Sequence, residues 1–569
     1  MSSFDLVIRN GLVVDGSGEA PFAADIGIVG GKIAAVGAAL PKGAQEIDAT
    51  GMLVTPGFID AHTHYDGHVT WENRLLPSSF HGITTAVIGN CGVGFAPCRA
   101  EQQDALINLM EGVEDIPFPV LKTGLPWTWE SFPDYLDLLA SRPYDMDVAC
   151  YLPHAALRVY VMGERAVNRE PATTADIERM CALFGEALDA GAVGIGTSRT
   201  LFHRSSDGNP IPTFEAAEAE LLGLAETMRL RGHGVFQMVE DLHLPGASLA
   251  LVTRLAERSN RPVTFTIGTA NQGPQAWPRL VAELEAANDA GLTVKGQVLP
   301  RGIGMMLGHH LTLNPFYSTP SYVDIASTPW PERLEILRQP EVRTAILSEP
   351  LDANAPSVLG RMVRQFDAMF ELGDPPNYEQ PPERSIAARA ARAGVAPEAL
   401  AYDLLLQEGA MLYMALGNLT DGKLDAVGTL LKHRDIIPGL GDGGAHCGTI
   451  CDASYSTFML MHWGRDRAEG KLPIQDVVHR LSRAPAQLLG LLDRGLLAPG
   501  LKADINVIDL DNLYLHAPET TSDLPGGGRR LVQRSEGYAA TIVSGQLVYV
   551  HGEATGALPG RLVRGSRQP

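Results

Sequence analysis

Residues 54–64 read VTPGFIDAHTH, and the fold is decided by how this stretch is understood. An apolar run through Phe58 and Ile59 leads into His62-Thr63-His64. Strand side chains alternate faces, so residues two apart point the same way. The spacing predicts a buried strand that ends by delivering two imidazoles to one side. Imidazole pairs suit Zn2+ and related divalent ions. Parallel barrels place chemistry at the C-terminal ends of their strands. The competing reading, two histidines after an ordinary exposed strand, fits the flanking PGFID and the rest of the chain less well.

Outward from this stretch, apolar β-type runs recur near 57–62, 84–89, 147–152, 192–197, 234–239, 263–268, 292–298 and 436–442. Helical segments such as 175–190 and 216–230 lie between several of them. Eight β-runs with intervening helices predict an α/β chain built as a closed, TIM-like (β/α)8 barrel. The gap at about 300–430 is far too long for one helix and holds PFYSTPSY (315–322) and a charged helical stretch (382–394), so an inserted subdomain is expected before the last strand. Both chain ends differ from this middle. Val- and Ile-rich runs at 6–9, 12–14, 26–29 and 32–36, punctuated by Gly11, Gly16, Gly30 and Gly31, are echoed at 503–508, 540–543 and 547–550. The expected division is 1–55 and 486–569 as one small discontinuous β-sandwich, with 56–485 as the barrel.

Two more motifs fall at predicted strand ends. In Gly89-Asn90-Cys91-Gly92 the glycines permit a tight turn that exposes the thiol, a soft ligand. A buried structural cysteine is the alternative. In Gly441-Asp442-Gly443-Gly444 the carboxylate can bind a metal and take the proton of attacking water. An aspartate between glycines is otherwise a common turn residue.

Lys and Arg number 45 against 66 Asp and Glu, for a formal charge of −21. Such a surface disfavours nucleic acid and anionic membranes. No run approaches the roughly 18 apolar residues of a membrane span, and the opening MSSFDLVIRNGLVVDG lacks a basic segment followed by an apolar one, so no signal peptide is expected. Six scattered cysteines fit free thiols and a cytoplasmic protein. The implied partner is a small-molecule substrate, with a homo-oligomer left open.

Taken together, FDLVIRNGLVVDGSG (4–18), TPGFIDAHTHYD (55–66), GNCG (89–92), ACYLPHAALR (149–158), GAVGIGTSRT (191–200), GDGG (441–444) and PGLKADINVID (499–509) resemble the D-aminoacylase (N-acyl-D-amino-acid deacylase) branch of the amidohydrolase superfamily. The resemblance implies a barrel with a flanking β-domain, an insertion before the last strand, and zinc-dependent hydrolysis of an N-acyl amide. It makes His62, His64, Cys91 and Asp442 metal ligands, with Asp442 also the general base and acid. The family's fifth strand carries a zinc-binding histidine in a His-Met-Arg run, where this chain has Phe236-Gln237-Met238-Val239. Its sixth strand carries Ser-His-His-Lys, where this chain has Thr264-Phe265-Thr266-Ile267-Gly268-Thr269. One metal per chain is therefore expected, Zn2+ or another divalent ion, with Gln237 as a supporting contact. Arg199, Arg204 or Arg301 is a candidate replacement for the missing lysine, each with an ordinary packing role as the alternative. His154, His203, His243 and His446 are candidate pocket residues. Cys447 and Cys451, at CxxxC spacing after Asp442, read as core cysteines with added thiolate ligands as the alternative, while His203, His233 or a carboxylated Lys295 would be the source of any further ligand. Met305-Met306-Leu307 and Pro315-Phe316-Tyr317 read as an apolar cover for the substrate, or as core filler. The expected reaction is hydrolysis of an N-acyl amino acid or related N-acyl compound. Cleavage of a cyclic amide, lactone or carbamate is the alternative within hydrolases, and a non-catalytic binding barrel the alternative outside them.

Overall fold

The computed structural model describes residues 4–244, 246–270, 275–353 and 360–565. All eight expected parallel strands are present: Phe58–Asp60, Ile83–Ile88, Asp147–Cys150, Gly194–Ser198, Val235–Val239, Val263–Thr266, Val294–Val298 and Ile436–Pro438. Each pairs with its sequence neighbour, in two ladders. Strands one to three form the first ladder, and a short extension of the third, Leu152–Pro153, begins the second. Tyr151 links the two by donating its N–H to the Ile88 carbonyl at 2.9 Å. No ladder joins strand eight to strand one among the described residues. Their ends are tied instead by loop hydrogen bonds, Asp442 N–H to His62 O at 3.1 Å and His64 N–H to Gly443 O at 2.8 Å. The strands are buried almost throughout, as parallel sheets covered by helices require.

The helices follow local signals. Thr174–Ala190 starts at a reciprocal box in which Thr173 accepts from Asp176 N–H and Asp176 accepts from Thr173 N–H, and it stops at Gly191 in the left-handed region. Glu218–Arg231 also ends on a left-handed glycine, Gly232. No helix among the described residues is long and apolar enough to cross a membrane.

Both chain ends build one nine-stranded network. Leu53–Pro56, the last strand before the parallel region, pairs antiparallel with Ile505–Ile508, which joins the two ends. Leu6, Ile8, Ile26, Val54, Ile505 and Ile542 belong to its separate apolar core. The break expected at Gly11 is instead an irregularity inside a single strand, Phe4–Val13, with Asn10 at φ 57°. The last described residues leave this sheet: Val563 N–H donates to Val148 O at 2.7 Å, against the third parallel strand.

Between Val298 and Ile436 the insertion carries an antiparallel sheet of Ile303–Leu307, Met369–Phe370 and Leu412–Gly417, with several helices. Of the apolar residues expected to cover the substrate, Met305, Met306, Leu307 and Phe316 are buried in packing. Met305 and Leu307 sit in the insertion's own core, Phe316 in a second cluster with Tyr322 and Tyr402, and Met306 faces the main core. Strand alternation is the reason, since neighbours in an apolar strand must serve opposite faces. Phe316→Ala is accordingly expected to lower unfolding stability by about 3–5 kcal/mol in denaturant melts, with KM unchanged.

Candidate metal centre

The chain brings together donors from the ends of strands one, two and eight. His62 Nε2 lies 3.2 Å from Cys91 Sγ, and His64 Nε2 lies 3.8 Å from it. Both Nε2 atoms are 3.6 Å from Asp442 Oδ1. His62, His64 and Cys91 are buried, with ligand atoms within 4.8 Å of one another, and they are the only such trio among the described residues.

Ring orientation shows that this set fits a cation. His62 Nδ1 faces Gln297 Oε1 at 3.1 Å, while Gln297 Nε2 donates to Thr264 Oγ1 at 3.0 Å. The amide oxygen can only accept, so His62 carries its proton on Nδ1 and presents a lone pair at Nε2. His64 Nδ1 lies 3.3 Å from Glu114 Oε1, outside hydrogen-bond geometry, while its Nε2 lies toward Cys91 and Asp442. Burial pulls the His62 ring down to about 4 and that of His64 to about 3, so both stay neutral, the ligating form. Burial pushes the Cys91 thiol well above its ordinary value, with Glu114, Asp442 and Asp66 adding to the push.

Unusual backbone holds this geometry. Cys91, Leu440, Asp442 and His446 all have positive φ, from 47° to 61°. Such conformations cost of order 1–3 kcal/mol each and cluster where function demands them. Two glycines permit close approach. A Cβ on Gly92 would meet Gly196 O at 2.8 Å, and one on Gly441 would lie 2.2 Å from Asp60 Oδ2. Asp60, buried beneath, accepts the His62 N–H at 3.0 Å.

Of the other expected residues, Gln237, His203 and His446 lie beside the donors and the rest are held elsewhere. Gln237 is beside the trio, and its Oε1 accepts the Cys91 N–H at 3.0 Å, so the amide holds the cysteine turn, while its buried Nε2 has no hydrogen-bond partner. His203 is anchored to Ser198 Oγ at 2.8 Å, and burial, with His64, His446 and His62 nearby, lowers it to about 3. His446 Nε2 lies 3.5 Å from Glu114 Oε2. His154 is locked between Thr197 Oγ1 at 2.8 Å and Glu220 Oε1 at 2.7 Å. His243 packs against Phe202. Arg301 is buried and consumed by Asp452, Ser454 and the Cys451 carbonyl. Arg204 bonds the Leu201 and Gly208 carbonyls. Arg199 lines a cleft of about 890 Å3 and lies 3.5 Å from Glu240. Lys295 pairs with Asp435 at 2.7 Å near the start of strand seven, the opposite end from the donors, and His233 likewise precedes strand five. Cys447 and Cys451 are buried in the main core.

Two residues here escaped the sequence reading. Gln297 had a signal, a polar side chain inside a strand otherwise fit for burial. Glu114, at the end of the helix Gln103–Glu114, had none, because nothing local distinguishes it from an exposed helix end.

A model of the amidohydrolase family matches residues 45–549. The chain belongs to that family. This amidohydrolase is 26% identical to the D-aminoacylase of Alcaligenes xylosoxydans xylosoxydans over 564 residues, spanning 98% of this chain and 97% of the relative. It is 27% identical to that organism's N-acyl-D-glutamate deacylase over 562 residues, spanning 98% and 96%. A solved D-aminoacylase, described by a binuclear metal centre with one-metal activation and second-metal attenuation, matches with a TM-score of 0.66 at 24% identity, covering 99% of this chain and 100% of the other. These likenesses put the amidohydrolase in the D-aminoacylase-like branch.

Proposed function

We propose that the chain is a metal-dependent hydrolase that cleaves the amide bond of an N-acyl amino acid or a related N-acyl compound. The observation that carries this reading is the convergence of two histidine Nε2 atoms and one thiol beside a partly exposed carboxylate. His62, His64, Cys91 and Asp442 would hold one divalent ion, Zn2+ by their chemistry. When bound, such an ion supplies Lewis acidity and makes water more acidic. Asp442 Oδ1 faces the two histidines while its side chain stays 19% exposed, so it can reach both the donors and an incoming substrate. It takes a proton from water as the water oxygen bonds to the acyl carbon. It returns that proton to the leaving nitrogen as the C–N bond breaks, yielding a carboxylic acid and an amine.

Elemental analysis of dialysed protein should return near one equivalent of metal, since strands five and six offer no imidazole. Chelation should abolish, and Zn2+ restore, release of free amino acid from a panel of N-acyl-D- and N-acyl-L-amino acids read by mass spectrometry. Hydrolysis of cyclic amides or lactones alone would replace the substrate assignment. Activity that survives complete metal removal would overturn the mechanism.

A further inference from the structure

One buried carboxyl group stands behind the donors and reaches both sides of the site. Glu114 is the last residue of its helix, and its side chain is 1% exposed. Its Oε1 is 3.3 Å from His64 Nδ1, on the strand-one side, a close contact outside hydrogen-bond geometry in which neither atom has another hydrogen-bond partner. Its Oε2 is 3.5 Å from His446 Nε2, on the loop after strand eight. Its backbone carbonyl also accepts the His446 N–H. The next residue extends the attachment. Asp115, at φ 50°, ends the helix, and its Oδ2 accepts from Gly448 N at 3.0 Å, Thr449 Oγ1 at 3.0 Å and Thr312 Oγ1 at 3.3 Å. The loop that carries Asp442 is thus anchored to one helix end along 446–449.

The two oxygens of Glu114 each meet a ring nitrogen. A ring nitrogen that gives its proton to a carboxyl oxygen leaves the other nitrogen as a lone pair, and the partner that sets this choice also sets the ring's direction. His64 Nε2 is the atom near Cys91 and Asp442, and a small ring rotation that closed the Nδ1–Glu114 contact into a hydrogen bond would leave that atom as the lone pair. His446, at φ 52°, has a side chain 20% exposed, against 1% for His64, so it is the more accessible of the two imidazoles. We propose that Glu114 is a positioning residue which orients His64 from behind as a ligand and holds His446 as a substrate-facing imidazole, joining the strand-one and strand-eight halves of the site. This rests on the metal-dependent reading above for its catalytic meaning. The orientation itself does not depend on it.

In metal-free protein with 15N-labelled histidine, the His64 ring should be protonated at Nδ1, and Glu114→Ala should shift it toward Nε2 protonation. Zn2+ affinity, read by competition with a chromogenic chelator, should fall about 10–100-fold in Glu114→Ala, with Glu114→Gln, which keeps one acceptor oxygen, falling in between. Melting temperature should follow neither change in proportion. In a double-mutant cycle on kcat/KM, Glu114→Ala should add less than its full effect to His446→Ala. An unchanged His64 tautomer, or wild-type Zn2+ affinity in Glu114→Ala, would overturn the proposal. Wild-type protein that binds no Zn2+ but shows the tautomer shift would overturn the metal reading while leaving Glu114 as the orienting group.

Discussion

Asp442→Asn is expected to lower kcat by about 10²–10⁴-fold, the contribution of a well-placed proton-transfer group, while the protein melts within a degree or two of wild type. The substitution replaces one oxygen by a nitrogen, so the packing around residue 442 is preserved but the proton acceptor is lost. The backbone also tolerates the change. Residue 442 sits at φ 47°, and asparagine is among the few side chains that adopt this region readily. The hydrogen bond from the 442 N–H to His62 O involves only main chain and survives. Steady-state kinetics beside a thermal melt read both quantities. Near-normal turnover in a folded variant would remove Asp442 from the proposed mechanism.

The second large effect is expected at His62. His62→Ala removes one of two imidazoles whose Nε2 atoms lie 3.6 Å from Asp442, and leaves the thiol of Cys91 with a single histidine neighbour. Tightly held zinc takes about four ligands, so the variant should retain well under a tenth of an equivalent after dialysis and show no measurable hydrolysis. The fold should persist. The side chain touches Gln297 and Cys91 but is not part of the apolar clusters, and its backbone bonds to Asp60 and residue 442 remain. Full retention of metal in His62→Ala would place the binding site elsewhere in the chain.

Within the insertion, apolar composition does not mark a substrate cover. Met305, Leu307 and Phe316 are as apolar as a substrate cover should be, but each is buried against its own subdomain. An apolar side chain carries no mark of which surface it will meet. The same ambiguity affected the arginines. Arg301 had the charge for a substrate carboxylate, yet Asp452, Ser454 and a carbonyl already occupy its donors.

Residues 54–64 by themselves announced a buried strand and two histidines at its end, because a two-residue period is a local property of extended backbone, but not that Leu53–Pro56 and Phe58–Asp60 are separate strands, the second ending two residues before His62. The glycines around Cys91 and Asp442 announced sharp turns for an equally local reason, the sterics of positive φ. The alternation of β-runs and helices set the order of the parallel strands, since chain connectivity leaves few other arrangements. Only the tertiary structure decided what stands behind the donors. Glu114 reaches His64 across 50 positions of sequence, and Gln297 reaches His62 across 235. Gln237, in the place of a family ligand, supports the Cys91 turn. Which nitrogen of a ring is free to bind depends on the partner of the other nitrogen, and that partner is chosen by packing between distant segments.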